Sequence, residues 1–372
     1  MKKKNLKISI SLLLFAFCLA CNTSDTTPAD VTKIDLSSVL EQPSKKNIFK
    51  NVRITQLENN GDNLLGEDLY FEISNGKIYI FDRKDQKAVF IFDEDGKYFG
   101  KTGQAGKGPG EYVNAVDFLV RNDTIDFLVH EGPDASIFSY TSSGDFLGKT
   151  KLSFLPYSFQ FTPENLYAVS MNYNKMERDH QVYLLDKTGA EVNKFISNNT
   201  EINMPIGENC FGKSDDEVLY FEPFNDTVYS FVDSSLAPLL NLEFGGYAIP
   251  DKFFQTDIVK GFQLINEQGF ALIKSVFAND EYMVFEIVRQ KDRMSTVFMV
   301  SYNRKSGETK YVSSARDDVI FRYPVGLNDK NEMMFLVFPF ESVDKNAKEY
   351  GIELEAKNLN EDDNALLLYC KL

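Results

Sequence analysis

The sequence predicts an all-β chain folded as a six-bladed β-propeller, with a strand from the N-terminus closing the last blade and two helical insertions on one face. Three observations carry this. From Val52 onward, short runs rich in Val, Ile, Phe and Tyr alternate with Gly/Asp/Asn turns, which is strand chemistry. The 32 Phe and 18 Tyr supply the large rings that sheet-on-sheet interfaces bury. Finally, one hairpin recurs along the chain. "AVFIFDEDGKYFGK" (residues 88–101) is echoed by "SIFSYTSSGDFLGK" (136–149), "QVYLLDKTGAEVNK" (181–194), "TVYSFVDSSLAPLL" (227–240) and "TVFMVSYNRKSGETK" (296–310). The turn glycines Gly96, Gly144 and Gly189 lie 48 and 45 residues apart. A period of roughly 40–50 residues with four short strands per unit is a propeller repeat.

Taken in order, the first element is not part of the fold. Lys2, Lys3, Lys4 and Lys7 form a basic head before an apolar run over residues 8–20. That run is shorter than the ~20 residues a membrane-spanning helix needs. It reads as a signal peptide over residues 1–20. The ending Leu19-Ala20-Cys21 resembles a bacterial lipobox, with Cys18 where an aliphatic residue is common. Cys21 is therefore the expected lipidation site, and its acyl chains would anchor the protein stably. Residues 21–48 are polar and rich in Ser, Thr, Asp and Pro, and are expected to be a lipid-anchored tether. Residues 49–372 are expected to form a single propeller domain.

Within that domain each echo supplies the third and fourth strands of a blade. The first two lie just upstream: "DLYFEIS" and "KIYIFD" for blade one, "AVDFLVR" and "TIDFLVH" for blade two, "NCFGKS" and "VLYFEP" for blade four, "GFALIKSVFA" and "YMVFEIVR" for blade five. The sixth blade has only "VGLND", "MMFLVFPF" and "NALLLYCKL". "KNVRITQL" (residues 50–57) has no blade of its own and is the natural fourth strand. Closing the ring this way removes exposed sheet edges.

Two stretches interrupt the period. Residues 246–268 place Phe254, Ile258, Phe262 and Ile265 at helical spacing after Pro250. Residues 341–363 are the second. One joins an outer strand to the next inner strand, the other a second strand to a third. In a propeller both kinds of loop emerge on one face, which becomes the expected working face.

"TGQAGKGPGEYVN" (residues 102–114) belongs to that face. A phosphate loop needs GxxxxGK[ST] between a strand and a helix. Here Pro109 stands in the lysine position and "AVDFLV" is a strand, so the glycines serve a chain that must swing from rim to centre. The run "FDEDGKYFGKTGQAGKGPGEY", with the ending "EDDNALLLYCKL", resembles the NHL-like six-bladed β-propeller lipoproteins of Bacteroidetes. The resemblance extends over the whole mature chain. It implies the fold and a place in the cell envelope, and brings no activity with it.

Composition excludes several functions. Forty Lys and Arg against 55 Asp and Glu give −15. Without residues 1–20 the balance is 36 cations to 55 acids, or −19. Such a surface repels nucleic acid. Two histidines, His130 and His180, do not make a three-histidine zinc site, and no GxSxG elbow accompanies them. No CxxC pair exists. Cys210 and Cys370 are expected to be free and buried. No catalytic residue and no metal ligand is assigned. No cofactor is expected, although axial carboxylates leave calcium open.

Turns such as "DRKDQK" and "HEGPDA" reach the same face, and the expected ligand contacts are Arg83, Glu111, Tyr112 and His130. Arg and Tyr offer contact area with directional polar groups. The resulting expectation is a monomeric outer-membrane lipoprotein, periplasmic or surface-exposed. It is a non-catalytic binding module for an envelope protein, peptide or glycan. The alternative is a metal-assisted hydrolase or lyase with its site at the axis, and a third reading is a transporter-associated sensor.

Overall fold

The computed structural model describes residues 31–372 apart from residues 47, 199, 213, 215–216, 316–317, 319, 339–342 and 354–362. Signal peptide and Cys21 lie outside the described residues. Six sheets follow one another in Thr32–Leu372, each built on four antiparallel strands. From inner to outer strand, blade one is Leu69–Ser74, Lys77–Asp82, Ala88–Asp93 and Tyr98–Thr102. Blade two is Ala115–Arg121, Thr124–Glu131, Asp134–Thr141 and Phe146–Leu152. Blade three is Ser158–Phe161, Tyr167–Ser170, His180–Leu185 and Glu191–Ser197. Blade four is Phe211–Gly212, Leu219–Phe221, Thr227–Val232 and Ser235–Glu243. Blade five is Phe270–Ala278, Tyr282–Lys291, Met294–Asn303 and Thr309–Ala315.

Blade six confirms the closure. Tyr323–Leu327, Glu332–Val337 and Leu366–Lys371 take Lys50–Gln56 as their outer strand. Arg53 pairs with Tyr369, Ile54 with Leu368, Thr55 with Leu367 and Gln56 with Leu366. The Arg53 guanidinium lies 3.3 Å from the Tyr369 ring centroid and ion-pairs with Glu332. Leu57, next along, is fully buried between blades six and one.

The repeated turn between third and fourth strands has a common chemistry. A short polar side chain at its start accepts backbone N–H groups from the far side. Asp93 takes Asp95 and Lys97; Asp186 takes Thr188 and Ala190; Asn303 takes Lys305 and Ser306. These are Asx-type turns. At Gly96, with φ +80°, a Cβ would stand 2.3 Å from the Gln56 carbonyl oxygen. The turn thus lets the closing strand pack directly on blade one.

The tether expected over residues 21–48 is corrected over its second half. Thr32–Asp35 lies parallel to the outer strand of blade four, Thr32 opposite Leu240 and Asp35 opposite Glu243. A helical turn, Ser37–Glu41, follows, with the Asp35 carboxylate accepting the Ser37 N–H at 2.9 Å. Ile34, Leu36, Val39 and Leu40 are buried between blades four and five. A polar average over the stretch concealed these four apolar residues. Further on, the Tyr311 hydroxyl donates to the Gln42 carbonyl at 2.9 Å.

The first insertion is helical as expected. Asp251–Phe254 and Ile258–Gln268 are helices, the second capped by Asp257, whose carboxylate accepts the Lys260 N–H. Phe253 and Ile265 bury into an aromatic cluster with Tyr173 and Phe224. The described part of the second insertion holds one helix, Val343–Glu349. Both remaining cysteines, Cys210 and Cys370, are free and buried.

Candidate functional site

The loops joining second to third strands and outer to next inner strands line one mouth of the ring. A cavity of about 1050 Å³ opens there, bounded by blades four, five and six. Its wall is built on the inner hairpin of blade five. Register slips between Ile273 and Ser275, leaving Lys274 as a bulged residue. A bulge breaks the strict alternation of faces. The neighbours Lys274 and Ser275 consequently both reach carboxylates. Lys274 pairs with Glu208, and the Ser275 hydroxyl donates to Glu286 at 2.7 Å.

Glu208 arrives on the connection from blade three to blade four. That segment hangs on the buried side chain of Asn172, whose amide donates to the carbonyls of Ile206 at 2.7 Å and Glu208 at 2.6 Å. The Asn172 oxygen accepts from the Ser170 hydroxyl and the Cys210 thiol. The next residue, Asn209, donates to Asp117 at 3.3 Å. Asp117 is a buried acid on the inner strand of blade two and also accepts the N–H groups of Phe118 and Phe159. This one carboxylate joins the inner strands of blades two and three to the segment that leads into blade four.

Glu286 is buried, and desolvation holds its carboxyl above the ordinary range, with Lys274 opposing and Glu208 reinforcing the shift. The opposite rim carries Arg322 beside Tyr323, whose hydroxyl donates to the Glu67 carbonyl at 3.0 Å. Arg293 sits on the two-residue turn of blade five with φ +65°, after Asp292 at +52°.

Directly behind the wall residues Phe221 and Phe224 lies Glu222, fully buried. It accepts from the Asn225 amide at 3.0 Å and from the hydroxyls of Tyr220 and Tyr173. Burial pushes its carboxyl up, and these hydrogen bonds only partly pull it back. An acid whose folded pKa exceeds its unfolded value gives a contribution that is whole below about pH 4.5 and lost as pH rises through the folded value. Each unit of upward displacement is worth about 1.4 kcal/mol. Glu222→Gln is therefore expected to gain stability over the native chain progressively as pH rises above about 4.5. Thermal unfolding across that range checks it; a difference independent of pH would contradict the assignment.

The expected contacts fall elsewhere. Arg83 is bidentate to Asp68, at 3.0 and 3.1 Å, and stacks over Tyr70 at 4.8 Å. Glu111, Tyr112 and His130 border a separate groove of about 910 Å³ beside blade two. There the Glu111 carboxylate accepts the Gly108 N–H at 2.8 Å and the Gln104 amide at 3.1 Å, bracing its own turn. Tyr112 is 2% exposed and is a packing residue. Its ring lies among Phe127, Phe138 and Tyr140, and its hydroxyl donates to the Lys87 carbonyl. A Cβ on Gly103, at φ +94°, would meet that hydroxyl at 2.3 Å, so the glycine makes room for the tyrosine. The His130 Nε2 is 2.7 Å from the Pro156 carbonyl, and burial pulls its pKa down.

The glycine-rich run is thus architecture. Neither insertion lines the axial cavity with described residues; the first buttresses Phe224 from behind. The cavity residues Lys274 and Glu286, and the buried Asp117 that holds Asn209, carried a faint sequence signal, a charge inside an otherwise apolar strand: "FALIKSVFA", "YMVFEIVR" and "AVDFLVR". Among the described residues no three of His, Cys, Asp and Glu are grouped to hold a metal ion. Among them, too, no helix is long and apolar enough to cross a membrane.

Solved structures share the ring. A protein described as exported, from Bacteroides fragilis, superposes with a TM-score of 0.72 at 15% identity, over 92% of this chain and 99% of that one. A DUF4221 family member from Bacteroides vulgatus superposes at 0.51 and 11% identity, over 87% and 97%. At such identities the likeness concerns the fold. No curated protein matches the sequence. The family model DUF4934, a domain of unknown function, matches residues 31–371, and the chain belongs to that family.

Proposed function

We propose that the protein is an outer-membrane lipoprotein, acylated at Cys21, whose propeller is a non-catalytic module binding one ligand in the axial cavity. The finer kinship with NHL-like lipoproteins is part of the same reading. The observation that carries it is the cavity itself. It is large enough for a small molecule or short oligomer, and its wall interleaves apolar side chains with polar and charged groups, some of them placed by buried hydrogen bonds. Its charged groups are arranged for holding. Lys274 is paired with Glu208, and Glu286 accepts the Ser275 hydroxyl.

Two measurements test the reading. In cells of the source lineage, Cys21→Ser is expected to abolish labelling by an alkyne fatty acid and move the protein from the membrane to the soluble fraction. Retained labelling would remove the anchor. For the site, Leu272→Trp in the purified mature chain is expected to fill the cavity and weaken any captured peptide or glycan by about tenfold or more, about 1.4 kcal/mol. Unchanged binding would place the ligand elsewhere.

A further inference from the structure

The cavity lining mixes charges of both signs, with Lys274, Arg293 and Arg322 against Glu67, Glu208, Glu286 and Asp318. Beyond residue 20 the chain carries 36 cations against 55 acids. Most described cations near an acid are paired, as Lys274 is with Glu208 and Arg83 with Asp68. Arg293 and Arg322 both line the cavity, and neither makes a hydrogen bond or ion pair with a described residue. Among the described residues, two exposed guanidinium groups without an ion-pair partner thus line one recess of an acidic protein.

Arg293 adds a second, independent mark. A two-residue turn with both residues at positive φ favours Asn-Gly or Asp-Gly. Asp292 is ordinary there, but the second place holds arginine at φ +65°. A left-handed conformation is less favourable for a residue with a Cβ than for glycine. The strained position points a planar, always-charged fork over the mouth, where glycine would make the easier turn.

Other wall groups define the remainder of the ligand. Asn209, Gln290, Ser295 and Ser314 are short neutral donors and acceptors interleaved with Leu272, Val288 and Val297. Tyr323 offers a half-buried ring beside Arg322. A pyranose has this same alternation of hydroxyl edge and C–H face. Guanidinium groups match the geometry of a planar oxyanion bidentately.

We propose that the axial cavity recognises an acidic oligosaccharide, with Arg293 and Arg322 holding a sugar carboxylate and Tyr323 stacking on an adjoining ring. This rests on the cavity being the binding site, and the experiment separates the two claims. Calorimetric titration of the purified mature chain would compare tetragalacturonic acid, its fully methyl-esterified form and tetraglutamate. The uronate is expected to bind about tenfold or more tightly than the ester, and to weaken as salt rises. Arg293→Gln and Arg322→Gln are each expected to erase that preference while leaving thermal stability nearly unchanged, because both side chains are exposed and the Arg322 approach to the Tyr323 ring is a surface contact. Equal binding of acid and ester would overturn the carboxylate assignment and leave a neutral-glycan cavity standing. A preference for tetraglutamate would overturn the sugar assignment. Uronate binding that survives Leu272→Trp, or no uronate binding at all, would overturn the proposal at this cavity.

Discussion

Deleting residues 32–57 is expected to leave no cooperatively folded protein, visible as loss of the unfolding transition and of a monodisperse monomer peak. The deletion removes the outer strand of blade six, which pairs along Leu366–Lys371. It exposes Leu366, Leu368 and Cys370, all buried in the native ring, and deprives Tyr369 of the Arg53 guanidinium stacked on it. Leu57 goes as well, from a fully buried place between blades six and one. A single buried leucine truncated to alanine costs about 2–5 kcal/mol. Losing that residue, a full strand of ladder hydrogen bonds and the cover over a hydrophobic face exceeds the 5–15 kcal/mol typical of a whole domain. A rearranged chain separates closure from the loss of residues 32–48. Lys50 lies opposite Lys371, so a linker of about two to five residues from Leu372 to Lys50 makes an ordinary hairpin. A chain carrying residues 50–57 after Leu372 is expected to recover a cooperative transition. If the deletion alone still melts sharply, the ring does not depend on this strand.

The same strand shows what is legible in a sequence of this kind. Its identity followed from counting, since the sixth unit lacked one strand and an unassigned strand stood at the other end. Repeats with turn chemistry at Asp93, Asp186 and Asn303 fix blade order because each turn is local, set by a side chain and an N–H two to four residues away. The candidate site was poorly legible for the opposite reason. Cavity walls join residues from different blades, such as Glu208 to Lys274 and Asn209 to Asp117, across 66 and 92 positions. Tyr112 and His130 attracted notice as residue types suited to recognition. Type alone does not reveal that Tyr112 points inward among Phe127 and Tyr140, or that Pro156 occupies the His130 Nε2. The strand Thr32–Asp35 was hidden for a third reason: with alternate residues Lys33 and Asp35 exposed, only Ile34 marks its buried side.

Asp126→Ala is expected to cost about 3–5 kcal/mol, the loss seen when one partner of a buried ion pair is removed. Asp126 sits on the second strand of blade two with no exposed surface. Its two oxygens accept from Arg121, with the Nε at 2.6 Å and the Nη2 at 3.3 Å, from the Ser139 hydroxyl, and from the Tyr167 hydroxyl of blade three at 2.9 Å. Alanine would leave a partly buried guanidinium and a buried phenol without their acceptor, in a place where water cannot replace it. Arg121 would keep its closeness to the Tyr167 hydroxyl and its 5.0 Å approach to the Phe161 ring, both in blade three. For a chain of this size the midpoint should fall by roughly 4–7 °C. Asp126→Asn should cost less, since its carbonyl oxygen still accepts, but its NH₂ would face donors. In a cycle with Arg121→Met, the double variant should be less destabilised than the sum of the singles, because the charge left unpaired in each is then gone. A cost under about 1 kcal/mol for Asp126→Ala would mean the carboxylate is solvated in practice and the link between blades two and three is slack. That link bears on the cavity, because blade three carries Ser170 and its neighbour Asn172, the side chain from which Glu208 is suspended. Loosening the seam at Asp126 should therefore weaken ligand capture more than its distance from the cavity suggests, and more than an equally destabilising change on the outer strand of blade five.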